Sequence, residues 1–251
     1  MITYSRISDH YALLRKYEDE FPEAAAPLKI RGMLKDFQNL FVLDQILNRF
    51  PEGGRLLEIG GGSCIMMRAL NKGRQQKYEC WNLDPLDGSG NGPLSASHAG
   101  DGEVAMKSLN GITIIEERIG DFSPNLEDGW FDLVFSVSVM EHIPIRDWPK
   151  CFDDMHRLLK PGGVVCHAVD LHPLDLTSAE DRLIMLRLAQ DKLFRSAAPG
   201  IAPTIDDVRK DPDTLSVSPF EYARWLRYMD EPDGPYRRVA SGNSVYLKPV
   251  V

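Results

Sequence analysis

The sequence contains no apolar run long enough to cross a bilayer, and its first residues, MITYSRISDHY, lack the apolar stretch of a secretory signal. Cysteine is scarce as well, because only Cys64, Cys80, Cys151 and Cys166 occur, far apart and without a C-x-x-C pair. This spacing argues against a zinc ribbon and is typical of reduced thiols. We therefore expect a cytoplasmic protein without a membrane span.

The chain carries fewer positive than negative charges. The chain has 29 Lys and Arg residues against 37 Asp and Glu residues, which gives a net charge of −8. This balance argues against a nucleic-acid partner and favours a small molecule. The composition, 43% hydrophobic and 26% charged, is that of a globular protein, and 251 residues suit one α/β domain with an appendage or two small domains. We expect a monomer or a homodimer.

Strand and helix signals alternate after the first fifty residues. The predicted strands lack polar alternation, which is typical of a parallel sheet that helices cover on both faces. In such a sheet, ligands bind at the carboxyl ends of the strands. The predicted strands are 55–59, 77–83, 112–115, 131–140 and 164–169, and the predicted helices are 34–50, 64–71 and 148–159.

Four further segments are less regular. Residues 86–102 are rich in Gly and Ser and predict a long loop, either a surface insertion or a lid over a ligand. Residues 179–195 predict an amphipathic helix, and residues 218–229 predict a second helix with Ser218 as its cap and Pro219 at its first position. Residues 236–250 predict a terminal hairpin that turns at 241–243.

The stretch LLEIGGGSC, residues 56–64, places three glycines directly after a predicted strand that carries one acid, Glu58. Such a turn brings backbone N–H groups and a helix N-terminus close to a ligand. The dinucleotide fingerprint G-x-G-x-x-G is incomplete, because its last position is Ile65. Glu58 would also repel a pyrophosphate and suits a ligand with a cationic group. A nucleotide-linked oxidoreductase is therefore disfavoured.

The segment Glu58-Ile59-Gly60-Gly61-Gly62 resembles the first motif, E/D-x-G-x-G, of class I S-adenosylmethionine (SAM)-dependent methyltransferases. WNLDP (81–85), IGDF (119–122), FDLVFSVSVMEHI (131–143) and LLKPGGVV (158–165) follow in the order and spacing of that family. The resemblance implies a doubly wound, mostly parallel seven-stranded sheet with N-terminal helices and a helical insertion after the fifth strand. It also implies SAM as the cofactor and S-adenosylhomocysteine (SAH) as its product.

The resemblance assigns roles to individual residues. It implies that Asp84 accepts hydrogen bonds from the ribose hydroxyls, although an Asp before Pro is also common in turns. Asp121 would accept from the exocyclic amine of adenine, and the Phe122 N–H would face a ring nitrogen. The implied cofactor-binding residues are Glu58, Gly60, Gly61, Gly62, Asp84, Pro85, Leu86, Asp121, Phe122, Ser136 and Val137.

The same resemblance divides the chain into three parts of one compact domain. Residues 1–53 form an N-terminal helical cap, and residues 54–172 form the SAM-binding core. Residues 173–251 form a helical insertion that builds the acceptor pocket, followed by the C-terminal strands.

Three residues are candidates for catalysis. His142 follows the fourth strand of the core and is either a general base or a structural or cofactor-lining residue. Asp170 and His172 share one face of the extended fifth strand, with His167 on the other. A base, an acceptor-binding pair, a metal site and a structural role all fit that pair. We expect no metal, because two ligands are too few and no Asp-Asn pair follows them.

The sequence thus favours a SAM-dependent methyltransferase that acts on a small molecule, a natural product or a glycan. Oxygen is slightly preferred over nitrogen as the acceptor atom, because candidate bases are present. A noncatalytic SAM-fold scaffold or regulatory protein is one alternative. A tRNA or protein methyltransferase is another, which the acidic charge balance disfavours.

Overall fold

A computed structural model describes residues 2–20, 33–62, 64–73, 77–85, 111–171, 193–196, 203–219, 222 and 239–250. Its strands are β1 (Ile2–Tyr4), β2 (Gly54–Ile59), β3 (Tyr78–Leu83), β4 (Ile112–Ile115), β5 (Phe131–Val137), β6 (Leu159–Leu171), β7 (Arg195–Ser196) and β8 (Ala240–Leu247). Its helices are α1 (Ile7–Glu20), α2 (Met33–Arg49), α3 (Ile65–Gly73), α4 (Trp148–Leu158) and α5 (Ile205–Lys210).

The strands form one sheet in the order β1-β8-β6-β5-β2-β3-β4, and β7 pairs with β8 beside this path. All neighbours from β6 to β4 are parallel, whereas β8 is antiparallel to both β6 and β1. The predicted doubly wound, mostly parallel sheet is therefore confirmed.

The direction in which the chain crosses the sheet reverses between β2 and β5. From β2 the chain proceeds outward to β3 and β4, and it then returns to β5 and β6 on the opposite side of β2. Ligands of open α/β sheets bind at the carboxyl ends of the strands that flank such a reversal. In this protein, these ends are the glycine turn after β2 and the segment after β5.

Helices cover both faces of the sheet. On one face α2 and α3 pack against strand residues such as Leu56, Phe135 and Cys166, all of which are buried. On the other face α4 packs against Leu57 and Val165. Each central strand is thus buried on both sides, which explains why its sequence lacks polar alternation.

The predicted terminal hairpin is wrong. Residues 241–243 lie inside β8, where Gly242 pairs with Val169 of β6 instead of forming a turn. A Cβ atom added to Gly242 would lie 2.7 Å from Leu171 Cδ1. The glycine therefore permits the close approach of the Leu171 side chain. In the sequence alone, a glycine with this role looks the same as a glycine in a turn.

The N-terminal segment also differs from its prediction, which gives only helices. The structure has a strand there, β1, which pairs with β8 before α1 begins. The other predicted strands and helices of residues 34–171 are present within a few residues, except that β6 extends from Leu159 to Leu171. The predicted loop at 86–102, most of the helices predicted at 179–195 and 218–229, and the start of the segment at 236–250 lie outside the described residues.

Candidate functional site

The glycine turn after β2 adopts backbone conformations that require glycine. Gly60 has φ +64°, and a Cβ atom there would lie 2.7 Å from Val139 Cγ2, beyond β5. At Gly61 a Cβ atom would lie 2.8 Å from Glu58 Oε2. The turn thus packs closely against the Glu58 carboxylate and against Val139, so neither glycine has room for a side chain.

Strand β3 holds this turn with two side chains. Asn82 Oδ1 accepts a hydrogen bond from the Gly61 N–H at 3.0 Å, and Asp84 Oδ2 accepts from the Gly62 N–H at 2.9 Å. Glu58 and Asn82 are register partners on β2 and β3, and both are buried. The structure therefore brings together Glu58, Gly60, Gly61, Gly62 and Asp84, as the motif implies.

The loop after β4 carries Asp121 and Phe122. Asp121 is exposed, and Phe122 is 47% exposed with φ +54°. The Phe122 N–H donates to Asp154 Oδ2 of α4 at 3.3 Å. The resemblance assigns this N–H to a ring nitrogen of adenine, so the described structure gives it a different partner.

The remaining residues implied for cofactor binding lie in different surroundings. Ser136 is fully buried, and its hydroxyl lies 2.8 Å from Nδ1 of His167. Val137 is partly buried and packs against the core on the α2 face. Pro85 follows Asp84 at the end of β3, whereas Leu86 lies outside the described residues.

His167 and Asp170 lie on opposite faces of β6, as strand alternation predicts. His167 packs edge-on against Phe152 of α4, with ring centroids 5.7 Å apart. Burial lowers the pKa of His167 to about 3, so the ring is neutral at physiological pH. His172 lies outside the described residues, and the predicted Asp170–His172 pair therefore stays a prediction.

Asp170 lies in a polar network with α2. Its Oδ2 is 3.1 Å from the Lys35 ammonium, and its Oδ1 accepts from Gln38 Nε2 at 2.8 Å. The Ser138 hydroxyl, on a residue with φ +53° after β5, donates to Gln38 Oε1 at 2.8 Å and also contacts Lys35 Nζ. This network joins the carboxyl ends of β5 and β6 to the helix that covers them.

Glu141 belongs to the same edge. It lies in a single 3₁₀ turn, Met140–His142, and its Oε1 accepts from the Asp170 N–H at 3.0 Å. Burial, with a further contribution from the Asp170 charge, raises the pKa of Glu141 to about 8, although the Lys35 ammonium opposes the shift. The carboxyl group is therefore mostly protonated at neutral pH and loses its proton at higher pH.

His142, the base candidate from sequence, is exposed at the end of that turn. The sequence reasoning singled out neither Lys35 nor Gln38 and gave Glu141 no catalytic role. Lys35 and Gln38 occupy positions i and i+3 of a helix whose pattern indicates only amphipathicity. No local signal connects them to Asp170, which follows Lys35 by 135 residues.

The charge along this edge disfavours a pyrophosphate. Glu58 lies in β2, and Asp84 and Asp121 lie in the segments after β3 and β4, so three carboxylates belong to the strands and loops of this edge. Among the described residues, no group of three or more His, Cys, Asp or Glu side chains is arranged to hold a metal ion. In the same part of the chain, no helix is long and apolar enough to cross a membrane.

Comparisons with known proteins establish the family. A model of the methyltransferase domain matches residues 37–204, which is more than half of the chain. The protein belongs to this family, and its fold is that of class I SAM-dependent methyltransferases.

The curated relatives are two proteins of Mycobacterium tuberculosis, the uncharacterized proteins Rv1509 (strain H37Rv) and MT1557 (strain CDC 1551). Each is 29% identical over 121 residues, a match that covers 48% of this chain and 37% of the relative. The match thus spans little more than a third of the relatives' length.

Solved methyltransferases share the fold at low identity. Phosphoethanolamine N-methyltransferase 2 of Haemonchus contortus, with phosphomonomethylethanolamine and SAH, has a TM-score of 0.53 at 18% identity, over 94% of this chain and 59% of that one. The N-methyltransferase NodS of Bradyrhizobium japonicum with SAH gives 0.52 at 13%, over 93% and 98%. The geranyl diphosphate C-methyltransferase of Streptomyces coelicolor gives 0.50 at 12%, over 84% and 78%.

Proposed function

We propose that this protein transfers a methyl group from SAM to a small-molecule acceptor and releases SAH. The observation that carries this proposal is the glycine turn at the chain reversal. Asn82 and Asp84 hold that turn, and the buried Glu58 carboxylate lies beside it. The membership in the methyltransferase family supports the reaction class.

Three carboxylates would bind the cofactor. Glu58 would attract its ammonium, Asp84 would accept from its ribose hydroxyls, and Asp121 would accept from its adenine amine. Asp84 already accepts the Gly62 N–H through Oδ2, which fixes the orientation of the carboxylate at the end of β3. When bound, SAM supplies a methyl group on a sulfonium that is reactive toward a nucleophile.

The acceptor would lie at the ends of β5 and β6, where the polar network of Lys35, Gln38, Ser138 and Asp170 meets Glu141. A hydroxyl or an ammonium acceptor must lose a proton before or during methyl transfer. We place the proton acceptor on the turn after β5, where the partly buried Glu141 and the exposed His142 are neighbours. Asp170 orients Glu141 through its backbone N–H.

Oxygen is the preferred acceptor atom, since groups able to accept its proton line this edge, and the acceptor is a small molecule, a natural product or a glycan. The solved relatives include N- and C-methyltransferases that were crystallised with phosphomonomethylethanolamine or geranyl diphosphate. An amine acceptor is the second candidate, because Asp170 and, once it has lost its proton above about pH 8, Glu141 offer two carboxylates against one ammonium from Lys35.

Calorimetric titration of SAM, SAH and NAD side by side tests the cofactor. SAM and SAH are expected to bind and NAD is not. Mass spectrometry of candidate acceptors incubated with SAM then tests transfer through the gain of one methyl group. Binding of SAM without turnover of any acceptor would favour a scaffold or regulatory role, and binding of NAD alone would contradict the proposal.

Asp84→Asn tests the ribose assignment. The amide can still accept from the Gly62 N–H, but it lacks the charge that strengthens hydrogen bonds to hydroxyls, each worth about 1.5–3 kcal/mol. We expect SAH affinity to fall at least about tenfold. Glu79→Gln, at the opposite end of β3 with a side chain 49% exposed, is the matched control and should bind normally. Equal affinity in the two variants would remove Asp84 from the site.

A further inference from the structure

A buried carboxylate holds the loop after β4 to helix α4. Asp154 is 1% exposed, and its Oδ2 accepts from the Gly120 N–H at 2.8 Å and from the Phe122 N–H at 3.3 Å. These two N–H groups belong to the residues on either side of Asp121. One carboxylate oxygen therefore fixes the backbone both before and after the residue that the proposed function assigns to adenine.

Arg157, three residues after Asp154 and on the same face of α4, completes the clamp. Its Nε and Nη2 atoms lie 3.0 and 2.9 Å from Asp154 Oδ1, so the second carboxylate oxygen is also bound. The same guanidinium donates to the backbone carbonyls of Leu126 at 2.9 Å and Ser123 at 3.3 Å, and to Asp128 Oδ1 at 2.5 Å. A single helical turn thus binds the loop at five points.

The conformation of the loop explains the need for such a clamp. Gly120 has φ +91° and Phe122 has φ +54°, both in the left-handed region that is unfavourable for a residue with a side chain. Phe122 is 47% exposed, so packing of its ring alone cannot maintain the backbone conformation. The hydrogen bond to Asp154 compensates for this strain at Phe122, whereas Gly120, which has no side chain, adopts its conformation without strain.

We propose that Asp154 is a positioning residue for adenine recognition. By binding the N–H groups of Gly120 and Phe122, it directs the Asp121 carboxylate toward the exocyclic amine of the bound nucleoside. The inference rests on the proposed function, because it requires that SAM and SAH bind at this edge of the sheet.

The test compares SAH with S-inosylhomocysteine, in which an oxygen replaces the adenine amine. Asp121 can accept a hydrogen bond from the amine but faces an acceptor in the analogue, so the wild-type protein should prefer SAH by at least about tenfold. In Asp154→Asn the amide NH₂ must face either the two backbone N–H donors or the Arg157 guanidinium. The loop then loses hydrogen bonds on one side.

We expect Asp154→Asn to reduce the preference for SAH by about tenfold, while affinity for S-inosylhomocysteine changes by less than about threefold. Asp153→Asn makes the same chemical change at an exposed neighbouring position of α4 and should keep the wild-type preference. A general loss of stability would weaken both probes alike, so the ratio separates positioning from a purely structural role.

A double-mutant cycle tests the route through Asp121. Asp121→Ala should abolish the preference, and adding Asp154→Asn should change the ratio no further. An unchanged ratio in folded Asp154→Asn, or a further change in the Asp121→Ala background, would overturn the inference.

Arg157→Lys is the second variant for this test if Asp154→Asn does not fold. It keeps a positive charge beside Asp154 but cannot reach the Ser123 and Leu126 carbonyls with the same fork of donors. We expect the preference to fall by about threefold or more, and an unchanged preference would overturn the inference. A wild-type protein that binds neither probe would instead contradict the proposed function itself.

Discussion

At the scale of single residues, Gly60 and Gly129 form a natural pair for comparison. Both have φ +64°, so both would strain an alanine backbone equally. Their surroundings differ, because a Cβ atom at Gly60 would lie 2.7 Å from Val139 Cγ2, whereas at Gly129 the nearest atom is the Leu159 carbonyl oxygen at 4.0 Å. The comparison thus separates backbone strain from steric overlap at the turn.

We expect Gly129→Ala to lower the free energy of unfolding by about 1 kcal/mol, the cost of left-handed backbone alone. Gly60→Ala should lose more stability, and its SAH affinity should fall at least about tenfold because the turn moves relative to β5. Thermal unfolding and calorimetry measure the two effects. Similar losses in both variants, with normal binding, would show that the close approach to Val139 does not matter.

Glu141 predicts a pH dependence of stability. Its pKa is about 8 in the folded protein, against an ordinary value of 4.5, because burial and the Asp170 charge disfavour ionisation despite Lys35. Between these two pH values the folded state holds a proton that the unfolded state has released, so stability falls as pH rises. Glu141→Gln removes this effect. The free energy of unfolding of the variant relative to wild type should therefore rise by more than about 1 kcal/mol from pH 5 to pH 8.

Urea denaturation at several pH values measures this difference, and Glu127→Gln, at an exposed position, should show none.

The pKa of Glu141 also predicts how the rate of methyl transfer depends on pH. If Glu141 accepts the proton, the single-turnover rate rises with a midpoint at about pH 8 and Glu141→Gln is slow. If His142 accepts it, His142→Ala is slow instead and Glu141→Gln is not.

At the scale of elements, the sequence predicts best where the signal is local. The strands of the parallel sheet are short apolar runs between glycines and helices, and their order follows from known crossover rules. Glu58 at the end of β2, the three glycines after it and Asp84 after β3 belong to neighbouring parallel strands, so the motif and its spacing predict their proximity. Lys35 and Glu141 lie far from Asp170 along the chain, and only the fold brings them together.

Strand β8 shows the opposite case. Ser241, Gly242 and Asn243 are residue types that favour turns, yet all three are buried between β6 and β1. Their polar side chains have partners that no local pattern reveals, such as the Ser241 hydroxyl bound to Gln38 of α2. A tertiary contact has overridden the local preference.

Gly242→Ala tests this role in β8. The added Cβ atom would lie 2.7 Å from Leu171 Cδ1, so we expect a loss of about 1–3 kcal/mol in the free energy of unfolding. In a Leu171→Ala background, which makes room, the same substitution should cost much less, and urea denaturation of the four proteins measures the coupling. Additive losses would mean that the two residues do not meet as described.

At the scale of the whole molecule, the four cysteines report on the integrity of the core. All four are free and buried, on both faces of the sheet. Burial raises the pKa of Cys80, Cys151 and Cys166 to about 12 and that of Cys64 also upward, so the reactive thiolate is rare in the folded state.

Labelling by a thiol reagent should therefore be slow in the native protein and rapid at four sites after unfolding. If labelling requires global unfolding, SAH at a hundred times its Kd should slow it about a hundredfold, because a ligand that binds only the folded state stabilises it by about 2.7 kcal/mol at that ratio. NAD at the same concentration should have no effect.

Cys64 follows the glycine turn and should be protected by SAH even if it reacts through local opening, whereas Cys166, in the centre of β6, should react only with the whole fold open. Rapid labelling of Cys166 in native protein would contradict the packing of the central sheet, and protection by NAD but not SAH would contradict the assignment of the ligand edge.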